Sequence, residues 1–207
     1  MNSSEKSIIG IFATPVAKYT LGRDLSFSEK EFICNQSRNT FSEDLVTQSK
    51  NNKILEETSL KDLKNFLEKA LNDFFQETVK PSTNVCLKIT QSWVNYSSVG
   101  REHKTHLHHN SIISGVFYVS TNKDSDKIFF CRKVPYLSYS IEPTQLNEWT
   151  TNICGIPSEE GTLLLFPSTL EHGVPSVIEE KERISISFNS FFSGEIGNAS
   201  HLTQLIV

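Results

Sequence analysis

The 207-residue chain lacks several features that would each have pointed to a function. It has no excess of basic charge. Its 20 Lys and Arg stand against 24 Asp and Glu, a net charge of −4, so a nucleic-acid or anionic-membrane partner is not expected. No apolar run approaches the ~18 residues that a bilayer span needs, and the first residues carry neither a basic stretch nor a long apolar one. The four cysteines, Cys34, Cys86, Cys131 and Cys154, are far apart, with no Cys-x-x-Cys pair. That spacing argues against a disulfide framework and for free thiols in a reducing compartment, so a soluble cytoplasmic protein is expected. There is no internal repeat, low-complexity tract or linker. The length fits one domain of ~100–200 residues, read here as a helical lead-in over 1–84, a β core over 85–193 and a tail over 194–207.

What the sequence does hold divides by pattern. Ser28 with Glu31 three residues on makes a capping box and predicts a short helix over SEKEFICNQSRN. In SLKDLKNFLEKALNDFFQETV, Leu60, Leu63, Phe66, Leu67, Ala70, Leu71, Phe74, Phe75 and Val79 recur at helical spacing, with Pro81 just beyond, which predicts one long amphipathic helix. After Pro81, β-branched and aromatic runs bounded by turn residues predict strands at Val85–Tyr96, Ile112–Ser120, Ile128–Cys131, Leu137–Ile141, Thr162–Phe166 and Arg183–Phe192. Short strands behind a helical lead predict a mainly β fold, a jelly-roll barrel with helices packed on its outside. The stretch 137–157 is longer than an ordinary connection of ~4–6 residues and reads as a substrate-facing loop or as a strand plus loop.

Histidine is scarce as well, six in all, yet His103, His106, His108 and His109 fall within seven residues. Side chains two apart on a strand share a face, so His106 and His108 point together, and two neighbouring imidazoles can present nitrogens to one metal ion. A third ligand must come from elsewhere. His172 in FPSTLEHGV is the candidate, just past the strand that Pro167 ends. The plainer reading, surface or core histidines without a metal, stays open. His103 and His109 lie off the face of the pair and are expected in solvent.

The strand RISISFN alternates: Arg183, Ser185, Ser187 and Asn189 on one face, Ile184, Ile186 and Phe188 on the other. On the skin of a globule the polar face would meet water. In a barrel wrapped by helices it would line a wet pocket. Arg183 follows His172 by eleven residues, close enough for a turn to bring its guanidinium to a small molecule held at the metal, where it could grip a carboxylate with Ser185 beside it.

QSWVNY, HLHHNS with SGVFYV, GTLLLFPS, His172 and RISISFN together resemble the 2-oxoglutarate- and Fe(II)-dependent oxygenases, more narrowly a small branch with the pattern H-x-H…H-x10-R. The matching segments cover about the last 110 residues. The resemblance implies a double-stranded β-helix in which His106 and His172 bind Fe(II), Arg183 binds the far carboxylate of 2-oxoglutarate and Ser185 assists it. It also implies O2 as co-substrate, with oxidation of a C–H bond, usually hydroxylation, and release of succinate and CO2. The family's middle ligand is usually a carboxylate, and here His108 stands in its place, with no Asp or Glu from 103 through 123 to substitute. Asn110 and a two-histidine site completed by water or an anion are the alternatives. If the strand from His106 continues in phase, Ser114 and Tyr118 face the metal and Tyr118 could donate to the co-substrate. Asn95 could hold a co-substrate oxygen or a metal-bound water, and Trp93 could wall the pocket.

Two other functions remain open on the sequence. One is a three-histidine, cupin-like or hydrolytic metalloenzyme that does not use 2-oxoglutarate, and the other is a non-catalytic jelly-roll binding module. The substrate, a small molecule or a peptide, is not legible, and oligomeric state is open, a homodimer included.

Overall fold

The computed structural model describes residues 11–40, 47–132 and 141–207. Its elements in chain order are β1 (Ala17–Thr20), α1 (Phe27–Cys34), β2 (Arg38–Thr40), β3 (Thr47–Ser49), α2 (Lys61–Val79), β4 (Val85–Ser97), β5 (His103–His106), β6 (Ile113–Ser120), β7 (Lys127–Cys131), β8 (Ile153–Pro157), β9 (Thr162–Pro167), β10 (His172–Val174), β11 (Arg183–Ile196) and β12 (Leu205–Ile206). A large sheet runs β1-β9-β6-β11-β4-β3-β2, with β12 on the end of β11, and a smaller one runs β5-β10-β7-β8. The ladders within both sheets are antiparallel, giving the expected mainly β jelly roll with its helices outside.

The helix α2 forms where the apolar spacing predicts it. Leu63, Leu67, Ala70, Leu71, Phe74 and Phe75 are buried against the large sheet, whereas Val79, placed in the same stripe by its spacing, is exposed. Lys80 ends the helix in the left-handed conformation, its N–H returning to the Gln76 carbonyl, and Pro81 cannot extend it. Asn72 clamps helix to sheet at two points, donating to the Leu87 carbonyl and accepting from the Leu87 N–H. The short helix α1 begins two residues earlier than expected. Ser26 and Glu29 form the capping box, because Arg23 grips the Glu29 carboxylate through both terminal nitrogens and holds it where the cap needs it.

The first 84 residues are less helical than their pattern reads. They contribute β1 to one edge of the large sheet and β2 and β3 to the other. These strands of 3 to 4 residues are too short to carry a legible alternation. Residues 133–140 lie outside the described set, so the strand predicted at 137–141 falls outside it but for Ile141, which is not in a strand. The rest of 141–157 is irregular up to β8, which pairs with β7 at the edge of the small sheet.

Alternation in the central strands makes two cores. Phe117, Leu163, Leu165, Ile184, Ile186 and Phe188 face α2, while Val116, Tyr118, Leu164 and Phe166 face inward to Ile128 and Phe130 of the small sheet. Gly115 pairs with Phe188 and lies directly beneath its ring, so a Cβ there would overlap ring carbons. Gly115→Ala should therefore destabilise the fold by about 1–3 kcal/mol, the usual cost of overpacking a filled core. Gly155→Ala, which meets only the flexible Lys127 side chain, should cost far less. Denaturant titration of the two variants checks the contrast.

Candidate functional site

Between the sheets lies a cavity, part of it open to solvent, lined by residues of both. The large sheet supplies its floor as a grid set by strand register. Arg183 on β11 lies opposite Ser97 of β4; Ser185 lies between Asn95 and Tyr118; Ser187 lies between Trp93 and Val116; Asn189 lies between Gln91 and Ser114. The polar face of β11 thus lines a pocket rather than the outer skin, because its apolar face is taken up by α2.

The small sheet supplies the roof. His172 on β10 pairs with His106 on β5, and His108 follows in the loop. One nitrogen from each of these three histidines falls within 4.8 Å of the others. His106 Nδ1 lies 2.8 Å from the Lys104 carbonyl and His172 Nδ1 lies 2.9 Å from the Leu170 carbonyl. A carbonyl can only accept, so both Nδ1 atoms carry the proton and both Nε2 atoms present bare lone pairs to the cavity. His108 Nε2 lies 3.3 Å from His172 Nε2. Without a cation the His108 nitrogen must donate across that gap. A metal ion with ~2.1 Å bonds to two adjacent ligands holds them ~3 Å apart, so the donor set fits a divalent metal with little movement. His108 has further support from Asn189 and from the Trp93 ring, 5.9 Å away between centroids.

Strand phase thus picks a pair that the fold does bring together with His172, but for a reason that does not hold there, since His108 is off the strand. Asn110 sits exposed in a left-handed turn and is not in the cluster. His109 is exposed, as expected. His103 is the correction. Between the pairs His172–His106 and Val174–His103, β10 advances two residues and β5 three. The extra residue is a β-bulge, which reverses the phase of β5 and turns His103 inward. There it lines the cavity and stacks on His106 with centroids 4.2 Å apart. No glycine or proline near Lys104 and Thr105 signals the bulge in the sequence.

Arg183 is 5 % exposed. Its Nη1 donates to Asp126 Oδ1 at 3.4 Å and to the Pro175 carbonyl at 3.3 Å. Burial works against its charge, and Asp126 supports it. Both bonds use Nη1, leaving the other guanidinium donors without protein partners among the described residues. The Tyr118 hydroxyl is buried in the same region beside Ser158, without a hydrogen bond of good geometry among the described residues, and desolvation pushes its pKa up to about 12. An unsatisfied buried hydroxyl next to a guanidinium fits a carboxylate ligand. Asn95 is more committed than its sequence position suggests. Its oxygen accepts from Gln48 and from the Trp93 indole N–H, and its amide donates to Ser187. Gln48, on β3, has no signal in the sequence that would have pointed to the site.

Comparison with known proteins agrees with this geometry. Residues 91–189 match a family described as "Putative 2OG-Fe(II) oxygenase". No functionally curated protein matches the chain. Among solved structures, HygX from Streptomyces hygroscopicus with nickel and 2-oxoglutarate bound is 12 % identical, covering 86 % of this chain and 82 % of that one at a TM-score of 0.55. A prolyl hydroxylase in complex with a hypoxia inducible factor peptide, from Trichoplax adhaerens, is 12 % identical with 85 % and 83 % covered and a TM-score of 0.53. An oxidoreductase of the 2OG-Fe(II) oxygenase family from Burkholderia pseudomallei is 13 % identical with 77 % and 74 % covered and a TM-score of 0.53. Likeness at such identity shows a shared fold.

Burial pushes the pKa of His103 and His172 down to about 3 and that of His108 to about 4, with the neighbouring imidazoles adding to it. In the unfolded chain these groups titrate near 6.5, so below that pH the unfolded state takes up protons that the folded state refuses. The metal-free protein should lose stability steadily as pH falls from 6.5 toward 4. Glu29 and Glu160, whose pKa values are lowered, add their own loss only below about 4.5. Thermal midpoints at pH 7.5 and 5.0 test this; equal midpoints would count against buried, neutral histidines.

Proposed function

We propose, from the match of residues 91–189 to the family described as "Putative 2OG-Fe(II) oxygenase", that this chain holds Fe(II) through His106, His108 and His172, binds 2-oxoglutarate through Arg183, and hydroxylates a small molecule or peptide. The single observation that carries the assignment is the convergence of three imidazole nitrogens within 4.8 Å, in a cavity whose lining has one cationic side chain, Arg183. Bound together, the iron, O2 and 2-oxoglutarate supply the oxidising chemistry, in which the keto acid leaves as succinate and CO2 and a substrate C–H bond is oxidised.

The protein's share is positioning and exclusion of water. The carbonyls of Lys104 and Leu170 fix the tautomers of His106 and His172, and Asn189 with Trp93 steadies His108. Three neutral ligands leave the charge of the ion at +2 rather than the +1 of a site with one carboxylate, which favours a dianionic co-substrate. Arg183, Tyr118 and Ser185 offer donors for the far carboxylate in adjoining rows of the floor. Val116, Ile128 and Phe166 line the cavity with apolar surface. The remaining wall, Trp93, Asn95 and Ser187, carries amide, hydroxyl and aromatic groups but no charge, and suits a neutral polar part of the substrate.

The contact between Arg183 and Asp126 favours a second reading, a three-histidine metalloenzyme in which Arg183 serves only an internal ion pair. Anaerobic addition of Fe(II) and then 2-oxoglutarate separates the two: a weak visible charge-transfer band is expected for the chelated keto acid, and its absence would favour the second. Arg183→Ala should raise the apparent 2-oxoglutarate constant by about 30-fold or more with iron content nearly unchanged. His106→Ala/His172→Ala should abolish iron uptake, and equal uptake by this variant and the parent protein would leave only a binding module.

A further inference from the structure

The mechanism above leaves one inward-facing imidazole unused. His103 lines the cavity, and neither of its ring nitrogens has a hydrogen-bond partner among the described residues. It lies outside the group of three whose nitrogens converge, so it is not a fourth member of that set. Its position follows from pairing. His103 lies opposite Val174, and the next residue, Pro175, accepts from Arg183 Nη1. Of the buried histidines with shifted pKa values, only His103 feels the charge of Arg183. On its other side it stacks on His106. The imidazole therefore lies on the roof beside the three converging nitrogens, opposite the residue that precedes the Arg183 acceptor Pro175, and lines the same cavity as Tyr118 and Ser185.

Donors are in demand along that stretch. A dicarboxylic keto acid brings two carboxylates into a cavity with one guanidinium, and Arg183 already spends Nη1 on Asp126 and Pro175. A neutral imidazole always carries one N–H, which on His103 has no acceptor among the described residues.

We propose that His103 is a co-substrate-binding residue: turned inward by the bulge in β5, it donates its ring N–H to a carboxylate oxygen of the 2-oxo acid held between the three histidines and Arg183. This rests on the functional reading above. It gives the bulge a purpose, since a regular β5 would put His103 on the outer face.

The alternative is that His103 only props the His106 ring by stacking. Two variants separate the roles. His103→Phe keeps an aromatic ring and removes the N–H; His103→Gln removes the ring and keeps N–H donors. Fe(II) affinity and anaerobic 2-oxoglutarate titration, followed by the charge-transfer band and by calorimetry, are measured on each protein. The expected result is unchanged iron affinity in His103→Phe with 2-oxoglutarate bound about ten-fold more weakly, the worth of a hydrogen bond to a charged group, and partial recovery in His103→Gln. Unchanged 2-oxoglutarate binding in His103→Phe, with a normal titration of the parent protein, would overturn the role of His103 alone. Loss of iron affinity in His103→Gln but not in His103→Phe, without a selective loss of 2-oxoglutarate, would make it a prop for His106. A parent protein that binds iron but shows no response to 2-oxoglutarate would overturn the functional reading itself.

Discussion

The two-faced packing of β11 is the constraint on which the site depends. Ile184, Ile186 and Phe188 are fully or nearly buried beneath α2, and burying three such side chains is worth several kcal/mol, ~1.5–3 for each. That grip on one face commits the other. Arg183, Ser185, Ser187 and Asn189 must point into the barrel, and the register with β4 and β6 then aligns Asn95, Trp93, Tyr118 and Ser114 beside them. A slip by one residue would bury the guanidinium under a helix and drive phenylalanine into the cavity, so the apolar core enforces the polar site.

Electrostatics explains why so polar a cavity can be tolerated. Arg183 and Asp126 are both nearly inaccessible, and each supplies the counter-charge that makes burial of the other affordable. The amide of Asn95 and the hydroxyls of Ser111, Ser114 and Ser168 are satisfied by neighbours in the wall. Against this background the groups without a well-formed hydrogen bond among the described residues stand out: Tyr118 Oη, the ring nitrogens of His103 and Nε2 of His106, while Nε2 of His172 meets only the His108 ring at 3.3 Å. They line one cavity, and a ligand that is part metal and part anion answers all of them. His108 brings no negative charge to the histidine cluster, while Asp126 holds one beside Arg183.

Much of the fold was legible because its longest elements each bury one continuous face. The helix α2 and the strands β4, β6, β9 and β11 announce themselves by period, and so do the pocket-facing residues Arg183, Ser185, Tyr118 and Trp93. The elements missed were β1, β2, β3, β8, β10 and β12, each of 2 to 5 residues and each stabilised by the ladder it joins rather than by its own pattern. For α1 two overlapping serine–glutamate pairs were both admissible, and only the distant partner of Glu29, Arg23, selects between them.

The histidines divide the credit most sharply. The sequence by itself determined that His106, His108 and His172 could converge, because an H-x-H pair before a β-strand run and a third histidine eleven residues ahead of an arginine are local facts of spacing. It also determined the two-faced strand that carries Arg183. Only the tertiary structure decided that His103 faces the same cavity, that Arg183 shares its guanidinium with Asp126, and that Gln48 reaches Asn95. Each of these depends on how one strand registers against another. Register is set by the sum of contacts across the barrel, and a single extra residue in β5 is enough to invert a face that alternation alone had placed outside.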